Sequence, residues 1–212
     1  VIDSRDTKLA DWAPMVLASA NTRLRPILES GLLLDAKLAR IALSANEPAL
    51  AQIQLAWWRE ELRRDRSDPN ILPPDPLLAS LLSAWTTSKS GLVALVNGWE
   101  ELVGGPPWEP SVGDALAKGR GALFEGLADQ LGYSDCAPAA AMHGVMWARA
   151  DFACFNSLDP SRPPKLPRLP RELRPLAIIG GLAARAFKRG GQPLFGDRLS
   201  PFVALRLGIF GA

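Results

Sequence analysis

The sequence predicts an all-α fold with a single domain, and three observations predict it. Apolar residues make up 48% of the 212-residue chain, Ala and Leu dominate them, and β-branched and aromatic residues are sparse, a composition that favours helices over strands. Apolar positions recur at three- and four-residue spacing in one segment after another. The 19 prolines fall between those segments more often than within them, where they mark helix starts and connectors. No long charge run or Gly/Ser tract divides the chain, so residues 1–212 are expected to share one core.

Taken in order, the residues up to Asp11 are polar, and Trp12 to Ala20 is apolar enough for a first short helix. Ile27 to Leu43 predicts a second helix that packs on one side only, through Leu28, Leu32, Ala39 and Leu43, with Asp35, Lys37 and Arg40 on other sides. Pro48 lacks an N–H and has a preset φ, so it opens the next helix, and Glu47 places a negative charge at the positive end of its dipole. Leu50, Ile53, Trp57 and Trp58 are expected to share one face of that helix, while Arg59, Arg63 and Arg64 crowd its C-terminal end. The adjacent tryptophans cannot point the same way. One is expected in the core, the other toward a neighbouring helix or a cavity, with plain packing and a snorkelling cation as the simpler reading.

The charged, proline-rich stretch from Arg63 to Pro76 predicts a surface connector. Leu77 to Trp85 and Leu92 to Val103 read as a helical hairpin broken at Gly91 and stopped by Gly104-Gly105-Pro106-Pro107. Ser111 with Asp114 resembles a capping box opening a helix through Leu116, Leu123, Leu127 and Leu131. Inside it Gly119 and Gly121 each cost about 1 kcal/mol against alanine, so they suggest close approach of another helix or a ligand. Arg120 lies between them, where its guanidinium could reach an anion or simply snorkel to the surface. Pro138 starts a helix carrying Met142, Val145, Met146, Phe152 and Phe155. Residues 159–171 form a proline-rich basic connector, Pro175 to Phe187 a strong helix ended by Lys188-Arg189-Gly190-Gly191, and Leu199 to Ile209 one or two further turns.

Cys136 and Cys154 lack CxxC spacing and there is a single histidine, so neither a disulfide framework nor a zinc site is indicated, and a reducing cytoplasm fits. His143 has no carboxylate at i±3 or i±4 to tune it as a base, and reads as a structural helix histidine. The longest uncharged apolar run, Pro175 to Ala184, is too short to span a bilayer. No Ser/His/Asp set, nucleotide loop or nucleic-acid motif stands out. The net charge of +2 conceals an asymmetry: residues 159–212 carry 10 Lys/Arg against 3 Asp/Glu, and the remainder 14 against 19. A basic end of this kind suits anionic headgroups, diphosphates or an acidic partner, with a solvated surface as the plain alternative.

The run L-A-W-W-R-E-E-L at Leu55 to Leu62, following the Glu47-Pro48 start, resembles the tryptophan-rich helix of the squalene/phytoene synthase family, most of all the divergent branch that includes mitochondrial complex I assembly factors. The resemblance extends, in the same order, to A-L-A-K-G-R-G-A-L-F at Ala115 to Phe124, M-W-A-R-A-D at Met146 to Asp151, and L-P-R-E-L-R-P-L at Leu169 to Leu176. It implies an isoprenoid-synthase helical bundle with a central cavity. Catalytic members join two prenyl diphosphates head to head, and Mg²⁺ held by two Asp-rich motifs neutralises the departing diphosphate. At the position of the first motif this sequence offers only Asp35, near Lys37 and Arg40; at the second only Asp151, followed by Cys154 and Phe155. The acidic pairs Glu61/Asp65 and Glu125/Asp129 fall elsewhere and read as solvated faces.

The resemblance therefore implies a protein that has lost the metal-binding acids, needs no cofactor, and acts as a lipid-binding or assembly scaffold. Its expected cavity is an apolar pocket near Trp57, Trp58, Arg59, Met146 and Trp147, suited to a prenyl chain or a partner helix. The alternative is a degenerate Mg²⁺-dependent prenyltransferase using Asp35, Glu47 and Asp151, with Arg120 as a diphosphate clamp. A third reading is a membrane-peripheral adaptor using the basic strip from Arg162 to Arg174.

Overall fold

A computed structural model describes residues 8–44, 47–64, 73–156, 164–191, 193–195 and 199–210. Among these the protein is all-α. The helices are α1 (Ala13–Ser19), α2 (Leu24–Ser44), α3 (Pro48–Arg63), α4 (Pro76–Ala84), α5 (Ser90–Glu100), α6 (Pro110–Gln130), α7 (Ala137–Asn156), α8 (Arg174–Phe187) and α9 (Ser200–Phe210), with single 3₁₀ turns ahead of α7 and α8.

Helix α6 forms the middle of the molecule, with α5 packed on one flank and α7 on another, while α7 leads on to α8 and α8 to α9. Helix α2 touches α1, α3, α4, α5 and α6, and α1 closes onto α8. One hydrophobic cluster runs through the whole arrangement, from Trp12 to Leu207.

Glycine lets α5, α6 and α7 approach so closely. A Cβ on Gly119 would come within 2.8 Å of the Ala94 carbonyl oxygen, and one on Gly98 within 3.0 Å of the Ala115 carbonyl oxygen. On the other flank a Cβ on Gly121 would stand 3.0 Å from Val145, and Gly144 faces the Arg120 carbonyl with no room for a side chain. The expected close approach at Gly119 and Gly121 is thus made by two helices.

Several element readings are corrected. Helix α2 does not pack on one side only: Leu28, Leu34, Leu38 and Ile41 are buried together with Asp35 and Lys37, whereas Leu43 is exposed. A helix touched by five others has little surface left for solvent. Helices α4 and α5 do not form a hairpin; α4 lies on α2 and α5 on α6, and Gly91 falls inside α5, facing the Ala122 carbonyl, rather than between the two. Helix α6 begins at Pro110 without a side-chain cap, so Ser111 and Asp114 form no capping box. Helix α9 has eleven residues, about three turns. The connector expected from Arg63 to Pro76 lies largely outside the described residues; of the one expected over residues 159–171, residues 164–170 are described and form no helix, and a 3₁₀ turn begins at Arg171.

The largest correction concerns α3. Its buried residues include Ala51, Leu55, Trp58 and Leu62, whereas Leu50 (52% exposed), Ile53 (65%) and Trp57 (38%) face outward. Four apolar residues at helical spacing do not mark the inner face when another apolar stripe runs beside them.

Candidate functional site

Arg120 occupies the centre of α6 on the stripe formed by Leu116, Leu123, Phe124 and Leu127, and like them it is buried, with 3% of its surface exposed. A guanidinium tolerates such a place only when its donors find acceptors. Asp35 of α2 supplies the first. Its Oδ1 accepts from Arg120 Nε at 2.9 Å and its Oδ2 from Nη2 at 2.9 Å, a bidentate fork. Asp151 of α7 supplies the second, its Oδ2 accepting from Arg120 Nη1.

Tryptophans wall the group. Trp99 of α5 donates its Nε1–H to Asp35 Oδ1 at 2.9 Å, and its ring centroid lies 5.2 Å from the Arg120 guanidinium carbon. Trp147, one turn before Asp151 on α7, stacks closer, with its centroid 3.7 Å from that carbon. Trp12 meets Trp147 edge-on at 5.5 Å, and Phe124 packs against it at 5.9 Å. Desolvated cation–π contacts of this kind contribute about 2 kcal/mol. Burial by itself lowers the pKa of Arg120, but Asp35 and then Asp151 outweigh it, and the guanidinium is held above its ordinary value.

The arrangement gathers four helices onto one cation. Asp35, Arg120, Trp147 and Asp151, which the sequence offered separately, come together here. The other candidates do not join them. Arg59 pairs with Glu100 on α5, and Glu47 is exposed at the start of α3. Trp58 and Met146 are buried in the core, and Trp57 stacks edge-on against Trp58 at the surface. Three grooves among the described residues, of about 440, 760 and 440 Å³, have none of Trp57, Trp58, Arg59, Met146 or Trp147 in their linings. Around Trp147 the interior is instead filled by Trp12, Phe124 and the guanidinium. Glu61, expected on a solvated face, is buried and bonded to Arg64 at 3.0 Å.

Sequence reasoning missed Trp99 and Trp12 as members of the site, since nothing local marks them. Arg120 did carry a signal: it falls at i+4 from Leu116 and i−4 from Phe124, and an arginine on an inward stripe points inward.

Chemically, the site holds a fixed cation whose acceptors are already engaged. Among the described residues no set of three or more His, Cys, Asp or Glu side chains is placed to hold a metal ion. No helix is long and apolar enough to cross a membrane among the described residues. Compared with protein-family models, with curated proteins and with solved structures, the chain matches none of them.

Proposed function

We propose that this chain is a squalene/phytoene synthase-like helical protein that has given up catalysis and serves as a cytoplasmic or membrane-peripheral binding or assembly scaffold. One observation carries the reading: Arg120 lies between Asp35 and Asp151, the acids that fall where the resemblance places the two metal-binding motifs. A divalent cation brought between those carboxylates would have to displace the guanidinium from its fork or share a dry interior with a like charge, and both are costly. The residues present therefore do not fit Mg²⁺.

The reading draws further support from α3. Leu50, Ile53 and Trp57 make an outward apolar row, a surface of the kind that partner helices cover.

Thermal unfolding with a non-hydrolysable farnesyl or geranylgeranyl diphosphate analogue, with and without Mg²⁺, tests the proposal, because a ligand of the native state raises its stability. The scaffold reading expects no shift that requires both metal and diphosphate. A shift that appears only with both present would restore the prenyltransferase and overturn the proposal.

A further inference from the structure

Helix α9 is apolar nearly all round. Ala204 and Leu207 are buried, and α9 packs on α8, where Leu207 lies against Gly181. On the outer side Phe202 (69% exposed), Leu205 (62%) and Ile209 (51%) follow one another at i, i+3 and i+7, a single stripe turned away from the core. Large exposed side chains in such a row mark a surface that something covers. The neighbouring charge says what.

Beside the stripe, a groove of about 760 Å³ runs between residues 164–167, α8 and α9. Lys165, Lys188 and Arg206 line it and are exposed, and none of its lining residues is acidic. Neither α8 nor α9 contains an Asp or a Glu. Arg206 lies next to Leu205 on α9, so the cations border the apolar row. An apolar helix face edged by lysine and arginine, with no acid on the helix or in the groove, complements a surface that is apolar inside and anionic outside.

We propose that the α8–α9 face docks on an anionic lipid bilayer, with α9 lying in the interface plane. Phe202, Leu205 and Ile209 enter the boundary of the acyl chains, and Lys165, Lys188 and Arg206 meet headgroup phosphates. This deepens the membrane-peripheral side of the scaffold reading and rests on it there, but does not depend on the fate of the Arg120 site.

Co-flotation of the full chain with unilamellar vesicles decides it. The probes are phosphatidylcholine vesicles with about 30 mol% phosphatidylglycerol and vesicles of phosphatidylcholine alone. Binding to the anionic vesicles is expected, falling by roughly tenfold or more between about 50 and 500 mM salt as the charges are screened. Combined Phe202→Ser and Leu205→Ser is expected to weaken binding at least about fivefold with circular dichroism unchanged, because apolar burial supplies part of the affinity. Combined Lys188→Glu and Arg206→Glu, on exposed positions, should abolish the preference for anionic vesicles. No flotation at low salt, or equal flotation with neutral vesicles, would overturn the proposal. So would a wild-type dimer in sedimentation that the Phe202→Ser/Leu205→Ser variant converts to a monomer, since a second copy would then be what covers the stripe.

Discussion

Arg120 keeps its charge in the interior because Asp35 takes two of its N–H groups and Asp151 a third, while Trp99 and Trp147 lie against its guanidinium. Removing the cation leaves two buried carboxylates without it. Arg120→Met is therefore expected to cost about 3–5 kcal/mol in denaturant unfolding, and Arg120→Lys to recover only part of that, since a point charge cannot reproduce the fork. Combining Arg120→Met with Asp35→Leu and Asp151→Leu should restore most of the loss, because an apolar replacement of a whole buried ion group is often neutral. If the triple variant is no more stable than Arg120→Met, the group is held by more than its mutual pairing. His143 is the second buried titratable residue with a clear consequence. Its Nε2 lies 3.0 Å from the Pro167 carbonyl oxygen and so carries the proton, while Nδ1, pressed against Gly180, has no hydrogen-bond partner. Burial pushes its pKa below the ordinary value of 6.5, with the Pro167 bond opposing. The unfolded chain then binds the proton first as pH falls, so the contribution of neutral His143 is complete above the unfolded pKa and is lost on acidification toward the folded one. The melting temperature is expected to fall between about pH 7.5 and pH 5.5, and to fall less in His143→Gln.

Helix α3 shows how far periodicity reaches and where it stops. Pro48 placed the start of the helix correctly, and its length follows from the run of good helix formers up to Arg63. The inner face was not legible, because Leu50–Ile53–Trp57 and Leu55–Trp58–Leu62 are both apolar rows at helical spacing. The choice between them is made by the packing of α2 and α5 on α3, which no pattern within α3 itself records. Replacing each tryptophan in turn reads that choice directly. Trp58→Ala, at a site only 2% exposed, is expected to cost about 3–5 kcal/mol, whereas Trp57→Ala should cost less than about 1 kcal/mol. Equal losses would mean that Trp57 is also packed in solution. The glycines of α6 were legible for the opposite reason. Gly119 and Gly121 are costly in an isolated helix, so their presence already implied a neighbour, and α5 and α7 are those neighbours.

Across the whole molecule, the buried ion group joins segments as distant as residues 35 and 151 and ties α2, α5, α6 and α7 into one assembly. That convergence could not be read from spacing, since neither Asp35 nor Asp151 has a second acid three or four residues away and Trp99 carried no mark at all. Helix α9 stands outside it. It packs on α8, buries Ala204 and Leu207, and leaves its outer apolar stripe exposed. An element with so little burial opens locally at much lower free energy than the core around it. Amide hydrogen exchange of the free protein is therefore expected to be at least about 100-fold faster in α9 than in the middle of α5, α6 and α7. If α9 exchanges as slowly as α6, it belongs to the cooperative core and the stripe is part of a rigid surface. If it exchanges fast in the free protein and anionic vesicles slow it while leaving α5 to α7 unchanged, the helix gains its order from the bilayer. The molecule then divides physically into a core held by Arg120 and an outer helix whose stability is set by what it touches.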